Sequence, residues 1–299
     1  MPFSAVYFEG RFLPAPFVEA KVAVTDPGYL LGEGVFATMR GYDGVCFRAE
    51  RHLTKLQRGA AAFGMTMPAG IDRLIAIADE AASRTRSRDA YVRVTVTRTG
   101  DESMPVLSVI SRPLDVPTAD DYSRGVSATI VSARRIPPAC FDPTMKSTSY
   151  APQVLARREV ASRGAAEGIM LAVDESLACG TMGNLFLVKG NDLLTPSLAS
   201  GCREGVTREA MFEVAAGLGM NVREEVLDPD LLFEVEEAFF SSTRVECLPI
   251  ATVDGRAIGK EETSAVASHP RTAELRAALR AMVSQETTHA TLSERRSTS

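Results

Sequence analysis

Only 5 of the 33 basic residues in this 299-residue chain are lysine, so arginine supplies almost all of its positive charge. Against that background the segment Phe141–Tyr150, with Lys146 inside it, stands apart. Pro143 and Met145 precede the lysine, Ser147, Thr148 and Ser149 follow it, and no carboxylate lies within three residues on either side. A lysine in so neutral a setting sheds its proton by desolvation, and the free amine is a nucleophile toward an aldehyde. On this segment alone an ordinary loop lysine is the plainer reading.

A second stretch with chemical content is Gly201-Cys-Arg-Glu-Gly205-Val206-Thr207-Arg208, a glycine turn that opens a helix. Unpaired N–H groups at a helix start, with a threonine hydroxyl beside them, make an anion site, and a phosphate monoester is its usual guest. The alternative is simple N-capping by Thr207 or Glu204. A third is Tyr91-Val-Arg-Val-Thr-Val-Thr97, which alternates strictly. Val92, Val94 and Val96 share one face of a strand, and Tyr91, Arg93, Thr95 and Thr97 share the other. That polar face either meets solvent or lines a pocket.

Elements able to position these residues are legible around them. A hairpin is expected over Ala5–Leu13, and a glycine-flanked turn at Gly32-Glu33-Gly34 leads into a strand. Leu53, Leu56, Ala60 and Phe63 give a helix over 50–63, and Leu74, Ile75, Ala78 and Ala82 give another over 70–84. Strands follow near 105–112, 126–136, 168–173, 184–188, 192–196, 236–242 and 246–253. Helices are expected over 150–163, from Val206 through Leu218, and over 271–283. The resulting division is an N-terminal α/β domain of residues 1–116, a linker of 117–123, a larger domain of 124–283 and a disordered tail of 284–299.

Bulk composition narrows the class. Net charge is −5 and the pI is near 5.4, which leaves no electrostatic footprint for nucleic acid or an anionic membrane. Five scattered cysteines in no metal spacing suit free thiols in a reducing cytoplasm. Three distant histidines argue against a histidine-built metal site or a Ser-His-Asp triad. No apolar run reaches the roughly 18 residues of a membrane span, and the N-terminus does not read as a signal peptide.

Taken in order, the pieces resemble the class IV pyridoxal-phosphate enzymes, a family that includes branched-chain and D-amino-acid aminotransferases and aminodeoxychorismate lyase. The resemblance runs from about Tyr29 to Leu279. It rests on Gly32-Glu-Gly-Val-Phe36, His52-Leu-Thr-Lys-Leu56, Lys146-Ser-Thr-Ser-Tyr150, Gly183-Asn-Leu-Phe186, Thr195-Pro196, Gly205-Val-Thr-Arg208 and Glu237 through Pro249. It implies an α+β fold of type IV, with a smaller N-terminal α/β domain and a larger C-terminal domain built on a barrel-like sheet with flanking helices. It implies pyridoxal 5'-phosphate as cofactor, an amino acid and a 2-oxo acid as substrates, and a homodimer. Lys146 would form the internal aldimine and then carry the proton shift. Gly205, Val206, Thr207, Ser242 and Thr243 would hold the phosphate, with Lys55 as a cation and Tyr150 near the ring phenol. Tyr29, Arg40, Tyr91, Arg93 and Arg98 are the candidates to meet substrate, the arginines through its carboxylate.

The chain departs from that family at three positions. Lys55 stands where an arginine is usual, so charge is kept and the bidentate fork is lost. Ala37 replaces a usual glutamate. Cys179 occupies the position, five residues before Asn184, of the carboxylate that faces the pyridine nitrogen. Glu175, past a turn, is badly placed to substitute. A thiol with a pKa near 8.5 holds a pyridinium proton poorly. Amino-group transfer is therefore expected first, with a lyase or racemase-type reaction, or a repurposed ligand-binding relative, as alternatives.

Overall fold

The computed structural model describes residues 3–99, 105–259 and 269–297, with side chains described to Thr288. The chain forms two units. One comprises Met1–Asp115, Met145–Tyr150 and Val283–Ser299, and the other Val116–Thr144 and Ala151–Met282.

The first unit holds β1 (Ala5–Phe8), β2 (Arg11–Phe12), α1 (Pro27–Leu30), β3 (Gly34–Tyr42), β4 (Val45–Cys46), α2 (Ala49–Ala62), α3 (Ile71–Ser83), β5 (Asp89–Thr97) and β6 (Val106–Pro113). Its six strands form one antiparallel sheet in the order β2-β1-β6-β5-β3-β4. The alternation of β5 sets its two faces. Val92, Val94 and Val96 are fully buried, together with Leu53, Leu56 and Ala60 of α2 and Leu74, Ile77 and Ala78 of α3. Each of these valine, leucine and isoleucine side chains contributes about 1.5–3 kcal/mol on leaving water. Tyr91, Arg93, Thr95 and Thr97 on the opposite face are half-buried.

Lys146 was expected within the C-terminal domain, yet its segment is laid along β3. Phe36 N–H donates to the Lys146 carbonyl at 2.8 Å, Thr148 N–H donates to the Gly34 carbonyl at 2.8 Å, and Ser147 bridges Val35. These bonds extend the sheet by one short edge and carry Met145–Tyr150 into the first unit.

The second unit holds α4 (Ala119–Arg124), β7 (Val126–Arg134), α5 (Ala151–Ser162), β8 (Glu167–Leu171), β9 (Leu177–Gly180), β10 (Asn184–Lys189), β11 (Asp192–Pro196), α6 (Val206–Gly217), β12 (Asn221–Glu225), β13 (Glu237–Ser242), β14 (Glu246–Val253), β15 (Arg256–Ala257) and most of α7 (Pro270–Ser297). Eight strands run in the order β12-β11-β10-β13-β14-β7-β8-β9, with β15 paired to β14. Terminal β9 packs back beside β10, which curls the sheet into a half-barrel around Leu185, Leu187, Phe240, Ile250 and Val253.

Three organisational expectations are corrected. The first segment of the first unit ends at Asp115, where residue 116 was expected. The segment 117–123, expected to be a linker, carries α4, started by a capping box in which Thr118 accepts from Asp121 N–H and the Asp121 carboxylate accepts from Thr118 N–H. The segment expected as a disordered tail continues α7 through Ser297. No glycine or proline interrupts the chain after Pro270, so nothing local stops the helix. The last two residues lie outside the described ones. No helix among the described residues is long and apolar enough to cross a membrane.

Candidate active site

In the first unit the chemistry gathers around Phe36. The Lys146 ammonium lies 4.4 Å from the centre of that ring and 5.0 Å from the centre of the Tyr150 ring. Its Nζ donates to the Tyr150 phenolic oxygen at 3.3 Å, and the two aromatic rings meet edge to face at 5.4 Å. The Arg93 guanidinium sits 3.6 Å from the centre of the same Phe36 ring. Register explains this meeting. Phe36 pairs with Thr95 and Thr38 with Arg93 across β3 and β5, so Phe36 and Arg93 share a face as diagonal neighbours. Arg93 Nε donates to the Thr95 hydroxyl at 3.0 Å, and no carboxylate among the described residues pairs with it. A half-buried guanidinium held on one edge by a hydroxyl keeps the rest of its fork for an incoming carboxylate.

The approach of the lysine segment depends on the Gly32-Glu33-Gly34 turn. Gly32 has φ +71°, and a Cβ there would come 2.4 Å from the Ser149 hydroxyl. The Thr148 hydroxyl donates to the Gly32 carbonyl at 2.9 Å, so the turn and the lysine loop are tied directly.

The other two candidate arginines are committed elsewhere. Arg40 is 2% exposed and pairs with Asp89, its Nε at 2.9 Å, so its guanidinium is a buried structural ion. Arg98 pairs with Glu33 and donates to the Phe63 carbonyl, which braces the glycine turn against the end of α2. Tyr91 shares the face of Arg93, with the Arg112 guanidinium 4.8 Å above its ring. Tyr29 on α1 is 66% exposed, and Lys55 stands half-buried on α2. Phe36 and Thr95 were named in the sequence without a role in the site; strand parity and the β3–β5 register are the signal that brings them to it.

In the second unit the start of α6 is open. Gly205 is its N-cap and has no side chain to cap it. The leading N–H groups of Val206 and Thr207 are thus left for an anion. Two residues hold this opening in place. Asn184 Nδ2 donates to the Arg203 carbonyl at 2.7 Å, and a Cβ on Gly205 would lie 2.4 Å from Asn184 Oδ1. Arg208, almost fully buried, donates to the Pro196 carbonyl at 3.0 Å and pairs with Glu224 at 2.7 Å. Ser242 ends β13, its hydroxyl accepting from Val245 N–H at 3.4 Å, and Thr243 follows it, half-buried.

Cys179 lies on β9 opposite Met170 of β8, 3% exposed, in a cluster with Ala178, Ala172 and Cys202. Burial pushes its thiol up to about 11, against the opposing pull of Arg135. Glu175 does not replace a carboxylate there, because it is exposed and paired with Arg134 at 2.6 Å. No group of described residues could hold a metal ion.

The family described as amino-transferase class IV matches residues 34–253, and the chain belongs to it. Enzymes of this family generally depend on pyridoxal phosphate and exchange an amino group between an amino acid and a 2-oxo acid. The branched-chain-amino-acid aminotransferase of Salmonella typhimurium is 30% identical over 270 residues, 85% of this chain and 86% of that one. The D-alanine aminotransferase of Bacillus licheniformis is 26% identical over 276 residues, 90% and 95% of the two chains. The crystal structure of the Escherichia coli branched-chain amino acid aminotransferase superposes with a TM-score of 0.87 at 26% identity, covering 95% of this chain and 96% of that one. The fold is therefore type IV, and the expectation of an amino-group transferase is borne out at the level of family and reaction.

Proposed function

We propose that the chain binds pyridoxal 5'-phosphate through Lys146 and transaminates an amino acid whose carboxylate is received by Arg93. The observation that carries this reading is the convergence of Lys146 and Arg93 on the single ring of Phe36. The residues fit the cofactor. An uncapped helix start at Gly205 suits a phosphate dianion, and the close approach of Asn184 leaves room for no side chain there. Gly205, Val206, Thr207, Ser242 and Thr243 are the residues we assign to the phosphate, with Lys55 as the accompanying cation. When bound, the cofactor supplies an aldehyde for the amine and a ring that withdraws electrons from the substrate. Lys146 would hold the cofactor through that aldehyde, and as a free amine it would move a proton at the substrate Cα. Tyr150 orients the lysine through its phenolic oxygen. Arg93 and the Tyr91 face orient the carboxylate, while Phe36 and Tyr150 keep water from the reacting atoms.

A homodimer belongs to the same proposal. Tyr29, Leu30 and Leu31 are consecutive and all more than half exposed, and Val18, Val22 and Val24 nearby are exposed too. A second copy of the chain is the occupant we assign to this surface. Five free thiols, four of them buried, suit a reducing cytoplasm.

The test is Lys146→Ala. The parent protein with added pyridoxal phosphate should show a visible absorption band that borohydride bleaches, and the variant should lack both that band and amino transfer. A variant that keeps both places the nucleophile elsewhere.

A further inference from the structure

On the second unit, Cys179 sits in an apolar cluster that arginines bring positive charge to. Arg135 is the least expected of them. It is 9% exposed, its backbone N–H donates to the Leu171 carbonyl at 2.8 Å, and its Nε donates to the Gly201 carbonyl at 2.9 Å. No carboxylate among the described residues pairs with it. A buried guanidinium with no counter-ion calls for an acceptor. The backbone bond to Leu171 places Arg135 beside the β8 residue next to Met170, and Met170 is the partner of Cys179. Its side chain reaches Gly201, next to Cys202, which shares the buried cluster of Cys179. The charged groups that act on Cys179 are Arg135, Glu167 and Arg203. Glu167 is spoken for, since it accepts from Thr181 and Gly168 N–H and pairs with Arg157. The thiol keeps its proton through the whole working range, because burial holds it up at about 11.

We infer that Cys179 and Arg135 receive the ring nitrogen of the cofactor in its unprotonated form, the Cys179 S–H donating to it and the Arg135 charge opposing its protonation. This rests on the cofactor reading above and deepens it. A ring nitrogen that acquired a proton would face a second donor and a nearby cation, while the Glu167 carboxylate is already engaged by Arg157, Thr181 and Gly168 N–H, so the free base is the form these groups stabilise. The cofactor would then be a weaker electron sink than a pyridinium, and more of the burden of moving the Cα proton would fall on Lys146.

The experiment loads the whole protein with pyridoxal phosphate carrying 15N at the ring nitrogen and reads its NMR shift between pH 6 and 9. The expected result is the shift of an unprotonated pyridine, unchanged across that range, and retained in Cys179→Ser, whose hydroxyl is also a donor. Cys179→Asp should move the resonance far upfield, as protonation of a pyridine nitrogen does. A pyridinium shift in the parent protein overturns the inference while leaving the cofactor assignment standing. Failure of the parent to bind labelled cofactor overturns both. If Cys179→Asp does not fold, Arg135→Gln serves instead: removal of the cation should bring a pH-dependent upfield move into the measured range, and an unmoved resonance counts against the role of Arg135.

Discussion

Replacing Arg93 by leucine tests the substrate half of the site most directly, because the structure separates its local role from its proposed one. Locally, the guanidinium bonds the Thr95 hydroxyl and lies on Phe36. A cation–π contact at a partly exposed site is worth about 0.5–1 kcal/mol. Leucine keeps apolar contact with the ring, so the fold should survive with a melting temperature lower by no more than a few degrees. Toward substrate, a charge-assisted hydrogen bond to a carboxylate contributes about 1.5–3 kcal/mol. Arg93 is half-buried, so solvent screening favours the lower end, which is about tenfold in dissociation constant. The assay is the single-turnover half-reaction followed by cofactor absorbance, across a series of amino acids and matching amines that lack the carboxylate. Arg93→Leu should raise the apparent dissociation constant of the amino acids roughly tenfold and leave that of the amines in place. Arg93→Lys should fall between, since charge survives and the fork does not. Equal weakening of amines and amino acids, or no weakening of either, refutes the assignment.

Gly205→Ala puts a Cβ 2.4 Å from Asn184 Oδ1, so the amide must swing away from the Arg203 carbonyl it bonds. Cofactor affinity, read by fluorescence titration of the apoprotein, should drop roughly tenfold for loss of one phosphate-ordering interaction of about 1.5 kcal/mol; unchanged affinity would move the phosphate away from α6. The exposed Tyr29–Leu31 surface predicts a dimer by sedimentation at micromolar concentration, shifted toward monomer by Leu30→Glu and Leu31→Glu together. A parent protein that sediments as a monomer removes that proposal.

Much of the framework could be read from the chain because its signals are local. Leu53, Leu56 and Ala60, or Leu74 and Ala78, recur at helical spacing, and they are buried where that spacing puts them. The alternation of Val92, Val94 and Val96 names the inner face of β5 without any knowledge of its neighbours. β12 gave no such signal. Asn221-Val-Arg-Glu-Glu225 is largely exposed and becomes a strand through its parallel pairing with β11, a contact between segments that no local pattern announces. The extension of α7 escaped for the opposite reason, since its polar residues suit a solvated helix as well as they suit a tail.

For the site, residue type proved a weaker guide than the partner each residue finds. Arg40, Arg93 and Arg98 are equivalent candidates on the chain, and each can reach for a carboxylate. The fold distinguishes them by what lies opposite. Asp89 neutralises Arg40 across 49 residues of sequence, and Glu33 engages Arg98 across 65, while Arg93 meets a hydroxyl and a ring. The same logic applies to Cys179. Its departure from the family pattern is visible in the sequence, but the consequence depends on Arg135, some forty positions earlier, being buried without a counter-ion. A thiol in place of a carboxylate beside a neutral wall would merely weaken the hold on a ring proton. With an uncompensated guanidinium acting on it, as inferred above, it would reverse the preference, because the two groups together would stabilise an acceptor and repel a cation.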